Sequence, residues 1–192
     1  MPIDNYDIKY NKDFCVVVGN NGSGKTTLMK YFLNAVPKDK LWVLNCGGAK
    51  QWFDMTDKDK MVIPPTYDSE WFNKWVLKFL VNTEDGCLIM DDADNFSLKD
   101  DKVLKSAYIN ARRLNIGGWL SVRRLNWIPI EIYDNAKYCF FSRQNADRNI
   151  WYIAEVCGMD IARKLKDLDL YVFLVYEPKT GLWSKIKVPY NG

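Results

Sequence analysis

Five apolar residues, Phe14-Cys15-Val16-Val17-Val18, stop abruptly at Gly19, and a loop rich in Gly and Asn then leads into Lys25-Thr26-Thr27 and a stretch of helical periodicity. Gly19, Gly24, Lys25 and Thr26 satisfy G-x-x-x-x-G-K-[ST], the pattern of a loop that cradles phosphates between a strand and a helix. No other stretch limits the fold as much. An apolar run without polar alternation predicts a parallel strand covered on both faces. The loop must turn successive backbone N–H groups toward one triphosphate, and a Cβ at Gly22 or Gly24 would obstruct that approach. The positive end of the following helix adds to the attraction. The candidate nucleotide-binding residues are therefore Gly19, Asn20, Asn21, Gly22, Ser23, Gly24, Lys25, Thr26 and Thr27. Lys25 is expected to reach the β- and γ-phosphates of ATP, and the Thr26 hydroxyl to bind Mg2+.

A second motif completes the first. Cys87-Leu88-Ile89-Met90 is followed by Asp91-Asp92, so a strand carries a carboxylate to the edge of the sheet where the metal and phosphates sit. Asp91 is the expected metal-side acid, acting through water. Asp92 is placed to orient or deprotonate an attacking water, with Asp94 behind it. The plainer reading leaves Asp92 and Asp94 as solvated acids after a strand.

The remaining chain supplies the frame. A helix is predicted over Lys25–Val36, ended by Pro37, and a strand over Leu41–Leu44. Residues 47–68, with Gly47-Gly48 and Pro64-Pro65, form a long irregular loop of the kind that is functional or mobile. Ser69 reads as the N-cap of a helix bearing Trp71, Phe72, Trp75, Val76, Phe79 and Leu80. Ser97 reads as the cap of another over about 98–115, stopped by Gly117-Gly118. Strands follow at Trp119–Val122 and Lys137–Ser142, then a helix from Asn145 to Cys157. The alternating Ile3, Tyr6, Ile8 and Tyr10 suggest a short leading edge strand. Near the end, Tyr171–Tyr176 and Leu182–Val188, joined through Glu177-Pro178-Lys179-Thr180-Gly181, read as a β-hairpin.

Composition excludes several chemistries. The 192 residues contain no histidine and five cysteines, none spaced as C-x-x-C. This composition argues against a zinc site and a His-based triad, and four of the five cysteines, in or beside predicted strands, read as ordinary core thiols in a reducing setting. No apolar run nears the ~20 residues of a membrane span, and no secretory leader is expected from Met1-Pro2-Ile3-Asp4. A net charge of +3 does not by itself announce nucleic acid. The chain is expected to be one domain over 1–192, with a core at about 12–158 and an extension at about 159–192 holding a helix and the hairpin.

An additional strand and helix separate the two motifs, and in this the chain resembles the additional-strand, catalytic-acid class of P-loop NTPases. That resemblance implies an α/β fold, a mainly parallel sheet of order 5-1-4-3-2 flanked by helices. The residue after the metal-side acid is typically Glu in that class, and here it is Asp92. Downstream, the run from Ser106 through Arg112-Arg113 and Val122-Arg123-Arg124 to Pro129, then Asn135-Ala136 before a strand, is similar to the HerA/FtsK superfamily. It looks closest to the genome-packaging ATPases of membrane-containing icosahedral viruses of the archaeal type. Cellular members usually carry Thr-Gln where this chain has Val122-Arg123. The short length, with no separate N-terminal barrel, favours a viral member.

The resemblance implies an ATP-hydrolysing ring, a hexamer or pentamer, that translocates double-stranded DNA into a capsid. Arg123 is then the sensor, and Arg112, Arg113 or Arg143 the cation donated to a neighbour's nucleotide. Arg112 and Arg113 lie at a helix end, where cations are favoured in any case. Lys50, Lys58 and Lys60, or Lys179 and Lys185, are candidates for DNA backbone contact, although Asp57-Lys58-Asp59-Lys60 reads equally as a solvated loop. Capsid or membrane-vertex proteins would be further partners, and the setting the host cytoplasm or the packaging vertex of the virion. The rival readings are a non-translocating ATPase of replication initiation or phage assembly, and a small-molecule kinase with a lid at Arg143–Arg148.

Overall fold

Strands that are apolar along their whole length must be covered on both faces, and the chain achieves this by alternating strands with helices. The computed structural model describes residues 6–189, the side chains of Ile109, Ala111 and Arg112 excepted. The strands are β1 (Phe14–Val18), β2 (Leu41–Asn45), β3 (Met61–Val62), β4 (Gly86–Asp91), β5 (Ile116–Val122), β6 (Tyr138–Phe141), β7 (Val172–Glu177) and β8 (Leu182–Lys187). They form one eight-stranded sheet in the order β3-β2-β4-β5-β1-β6-β7-β8. Pairing is parallel from β3 to β6, then antiparallel through β7 and β8. The five central strands expected from sequence occur in the implied order, 5-1-4-3-2, and the terminal hairpin is present. The helices are α1 (Lys25–Leu33), α2 (Ser69–Asn82), α3 (Lys102–Ala111), α4 (Ile130–Asp134), α5 (Asp147–Cys157) and α6 (Met159–Ala162). Among the described residues, no helix is long and apolar enough to cross a membrane.

The pleat divides the core into two layers. Val16 and Val18 face one side with residues of α2, α3 and α5, and Cys15 and Val17 face the other with Leu28, Met29 and Leu33 of α1. Val16 and Val17 are fully buried, each worth about 1.5–3 kcal/mol relative to exposure. All five cysteines are free and buried.

Several local expectations are corrected. Asp68, not Ser69, caps α2, its carboxylate accepting from Trp71 N at 2.8 Å. Helix α3 starts at Lys102 rather than near 98, and Asp101 accepts from Leu104 N at 2.8 Å. Helix α1 ends at Leu33, short of Val36. Gly117 and Gly118 do not stop a helix; they lie inside β5. A Cβ at Gly117 would land on the carbonyl of Tyr10, so glycine is what lets the N-terminal segment pass against the sheet. That segment is not an edge strand over its described part, residues 6–13, and Ile3 lies outside the described residues. The long loop at 47–68 contains short 3-10 turns and the two-residue strand β3.

Candidate active site

The C-terminal ends of parallel strands β1, β4 and β5 lie together because β5 pairs with both of the others. Gly19 is drawn into this edge by its N–H, which donates to Val122 O at 3.0 Å. The loop then turns through Gly22 at φ +75° and Gly24 at φ +94°, conformations that an L side chain adopts rarely. At Gly24 a Cβ would also meet the Tyr171 ring at 2.5 Å. As the N-cap of α1, Gly24 has no side chain to satisfy the first N–H groups of the helix, which are left to an anion. Asn20, Asn21 and Gly22 are exposed, Ser23 is buried, and Thr26 and Thr27 are half-buried at the start of α1.

The two motifs meet across sixty-five residues: the Thr26 hydroxyl donates to Asp91 Oδ2 at 2.8 Å. Asp91 is 1% exposed and accepts two further bonds, from Trp52 Nε1 to Oδ2 at 2.7 Å and from Ser121 Oγ to Oδ1 at 2.6 Å. Burial pushes its carboxyl pKa above the ordinary value, against the pull of these donors. Lys25 Nζ is 2.9 Å from Asp92 Oδ1, an ion pair without the alignment of a hydrogen bond, and 3.4 Å from Asn20 O. Asp92 stands at φ +53°, and its N–H donates to Ser121 Oγ at 2.8 Å. One hydroxyl thus holds both acids, Asp91 through its carboxylate and Asp92 through its backbone.

Asp94 is not a solvated acid. Its side chain is fully buried and accepts from Arg123 Nε and from Arg123 N, the latter at 3.3 Å. Arg123 also reaches Asn95 Oδ1 at 3.4 Å and lies 5.5 Å from the Trp127 ring centre. The expected sensor is therefore committed to Asp94 and Asn95, while Ser121, two residues earlier in the chain, touches the Asp91 carboxylate and the Asp92 backbone. Arg113 and Arg143 are exposed, and Arg143 Nε donates to Asn145 Oδ1 at 3.2 Å. The side chain of Arg112 lies outside the described residues. Lys50, Lys58, Lys179 and Lys185 are exposed, and Lys60 donates to Asp39 O.

Trp52 and Ser121 are the residues that reading by motif missed. Ser121 had a signal: it is the lone hydroxyl in the otherwise apolar run Trp119-Leu120-Ser121-Val122. Trp52 had none beyond its place in a long loop.

The donor set fits Mg2+. A hydroxyl and a carboxylate side by side are hard oxygen ligands, and Mg2+ takes one or two of these with phosphates and water. Among the described residues, no group of three or more His, Cys, Asp or Glu side chains could hold a metal without such help.

A family model described as an AAA domain matches residues 8–116. Among curated proteins none matches. The fold is shared with the DNA-packaging ATPase from Sulfolobus turreted icosahedral virus, at TM-score 0.78 and 20% identity over 94% of this chain and 100% of that one. The genome-packaging NTPase of Sulfolobus turreted icosahedral virus 2, in complex with AMPPCP, gives 0.79 and 19% over 94% and 100%. The pCW3 conjugation coupling protein TcpA, in its monomer form with ATPγS, gives 0.62 and 15% over 96% of this chain and 62% of that one.

Proposed function

Since this chain belongs to the AAA-domain family, we propose that it is a Mg2+-dependent ATPase that works as a ring on double-stranded DNA, packaging a viral genome. The observation that carries the catalytic part is the contact between Thr26 and Asp91 at 2.8 Å with Lys25 and Asp92 at 2.9 Å beside it. Two motifs far apart in sequence thereby converge on one point at the sheet edge, where nucleotides bind in open α/β folds.

In this reading the N–H groups of residues 19–27 and the α1 N-terminus hold the phosphates. Lys25 neutralises β- and γ-oxygens, and Thr26 with Asp91 would hold Mg2+, which would supply charge neutralisation to the phosphates. Asp92 takes the proton of a water whose oxygen attacks the γ-phosphorus, and the bond to the bridging oxygen breaks to release ADP. To act as the sensor, Arg123 would have to exchange its bonds to Asp94 and Asn95 for the γ-phosphate. Arg112, Arg113 or Arg143 of a neighbouring copy is the cation supplied in trans, an effect worth about 10³-fold or more in rate.

The DNA and packaging part is supported by the two viral packaging enzymes that share the fold over nearly the whole chain. The testing experiment is ATP turnover with and without duplex DNA, read beside the particle mass in solution. Turnover stimulated by DNA, from a particle of several copies, is expected. Turnover that is indifferent to DNA from a monomer would leave only a non-translocating ATPase.

A further inference from the structure

Trp52 sits in the segment between β2 and α2, and it is fully buried. Its placement is built in steps. Asn45, at the end of β2 and itself fully buried, clamps the backbone of Ala49 on both sides. Its Nδ2 donates to Ala49 O at 3.0 Å and its Oδ1 accepts from Ala49 N at 2.9 Å. Ala49 O in turn accepts from Trp52 N at 3.3 Å. The same Asn45 is the sheet partner of Asp91. The turn bearing the indole is thus fixed from the strand next to the acid.

An indole N–H is donor only and seeks any buried acceptor. Here it meets the one carboxylate oxygen that also accepts from Thr26, while Ser121 holds the other oxygen. Three donors fix the plane of Asp91, and one of them, Thr26, is the residue assigned to the metal. Turning that hydroxyl to a metal leaves Trp52 and Ser121 as the bonds that keep the carboxylate aimed.

We propose that Trp52 is a positioning residue for Mg2+: its indole N–H presets Asp91 for the metal. The inference rests on the metal-bound nucleotide proposed above. Outer partners of metal-side ligands typically govern metal affinity by about 10–100-fold.

The test uses the full chain and a fluorescent non-hydrolysable ATP analogue. Mg2+ is titrated into wild type and Trp52→Phe, which keeps most of the apolar bulk and removes the donor. In the variant, analogue affinity in EDTA should match wild type within about twofold, and the Mg2+ midpoint should rise by about 10–100-fold. A variant with the wild-type midpoint overturns the positioning role and leaves the ATPase reading intact. A wild type whose analogue binding ignores Mg2+ overturns both. Should the variant fail to fold, the wild type still decides. Of its eight indole N–H resonances, one must be protected from exchange and shift when Mg2+ joins the nucleotide complex. If no protected indole shifts, the proposal falls.

Discussion

Ser121→Ala removes a single hydroxyl and should disturb two acids at once, Asp91 through its carboxylate and Asp92 through its backbone. Ser121 is fully buried, with its hydroxyl donating to Asp91 Oδ1 at 2.6 Å and accepting from Asp92 N at 2.8 Å. A hydrogen bond to a charged group is worth about 1.5–3 kcal/mol, and a buried donor left unsatisfied costs about 1–3 kcal/mol. The two losses are adjacent and not fully additive, so the expected cost is about 2–5 kcal/mol, out of the 5–15 kcal/mol typical of a whole domain. For a chain of this size about 2–4 °C of melting temperature accompanies each kcal/mol, giving a fall of roughly 4–20 °C. ATP turnover should drop further than nucleotide affinity, because Asp92 loses the bond that holds its backbone at φ +53°. The assays are thermal melting with a urea titration, and single-turnover hydrolysis beside analogue binding. A variant that melts within about 2 °C of wild type and turns over ATP at the wild-type rate would refute the argument.

Lys25→Ala should abolish ATP turnover and weaken analogue binding, whereas Asp92→Asn should spare binding and stop hydrolysis; turnover surviving in either variant, measured by phosphate release, rejects its assigned role. Gly117→Ala should cost about 1–3 kcal/mol by overpacking, since the new methyl meets the Tyr10 carbonyl; denaturant melts check it, and a neutral result would mean that the N-terminal segment yields freely. The bond from Trp71 N holds the Asp68 carboxyl below its ordinary pKa. Its capping contribution to α2 is therefore present above the ordinary aspartate range and fades as pH falls through the lowered value. Asp68→Asn, which keeps an acceptor, should flatten that acid limb in melts followed by circular dichroism, and an unchanged limb would reject the cap as its source.

The parallel sheet was legible because burial on both faces writes unbroken apolar runs such as Phe14–Val18 and Cys87–Met90. Asp91 was legible because it closes such a run with a carboxylate, and Thr26 because it ends the Gly-rich pattern that follows Phe14–Val18. Helix starts were less so. Asp68 and Ser69 are both good caps, as are Ser97 and Asp101, and periodicity alone does not choose between neighbours. Leu98 is buried in the core, so the chain enters the interior before α3 begins. Gly117-Gly118 resembled a helix stop because the backbone passing over them is distant in sequence. For the same reason Trp52 and the Asp94–Arg123 pair were invisible: their partners are set by tertiary approach, not by spacing.

Among the described residues the outermost strand, β8, pairs with β7 alone, and Lys185 and Lys187 are exposed on it. Stacking another chain's strand there would crowd like charges and bury ammonium groups, a device that discourages edge-to-edge growth. In the ring proposed above, copies would accordingly keep their sheets separate on that flank. An assembly joined in this way can let neighbours rock against each other without unzipping a shared backbone.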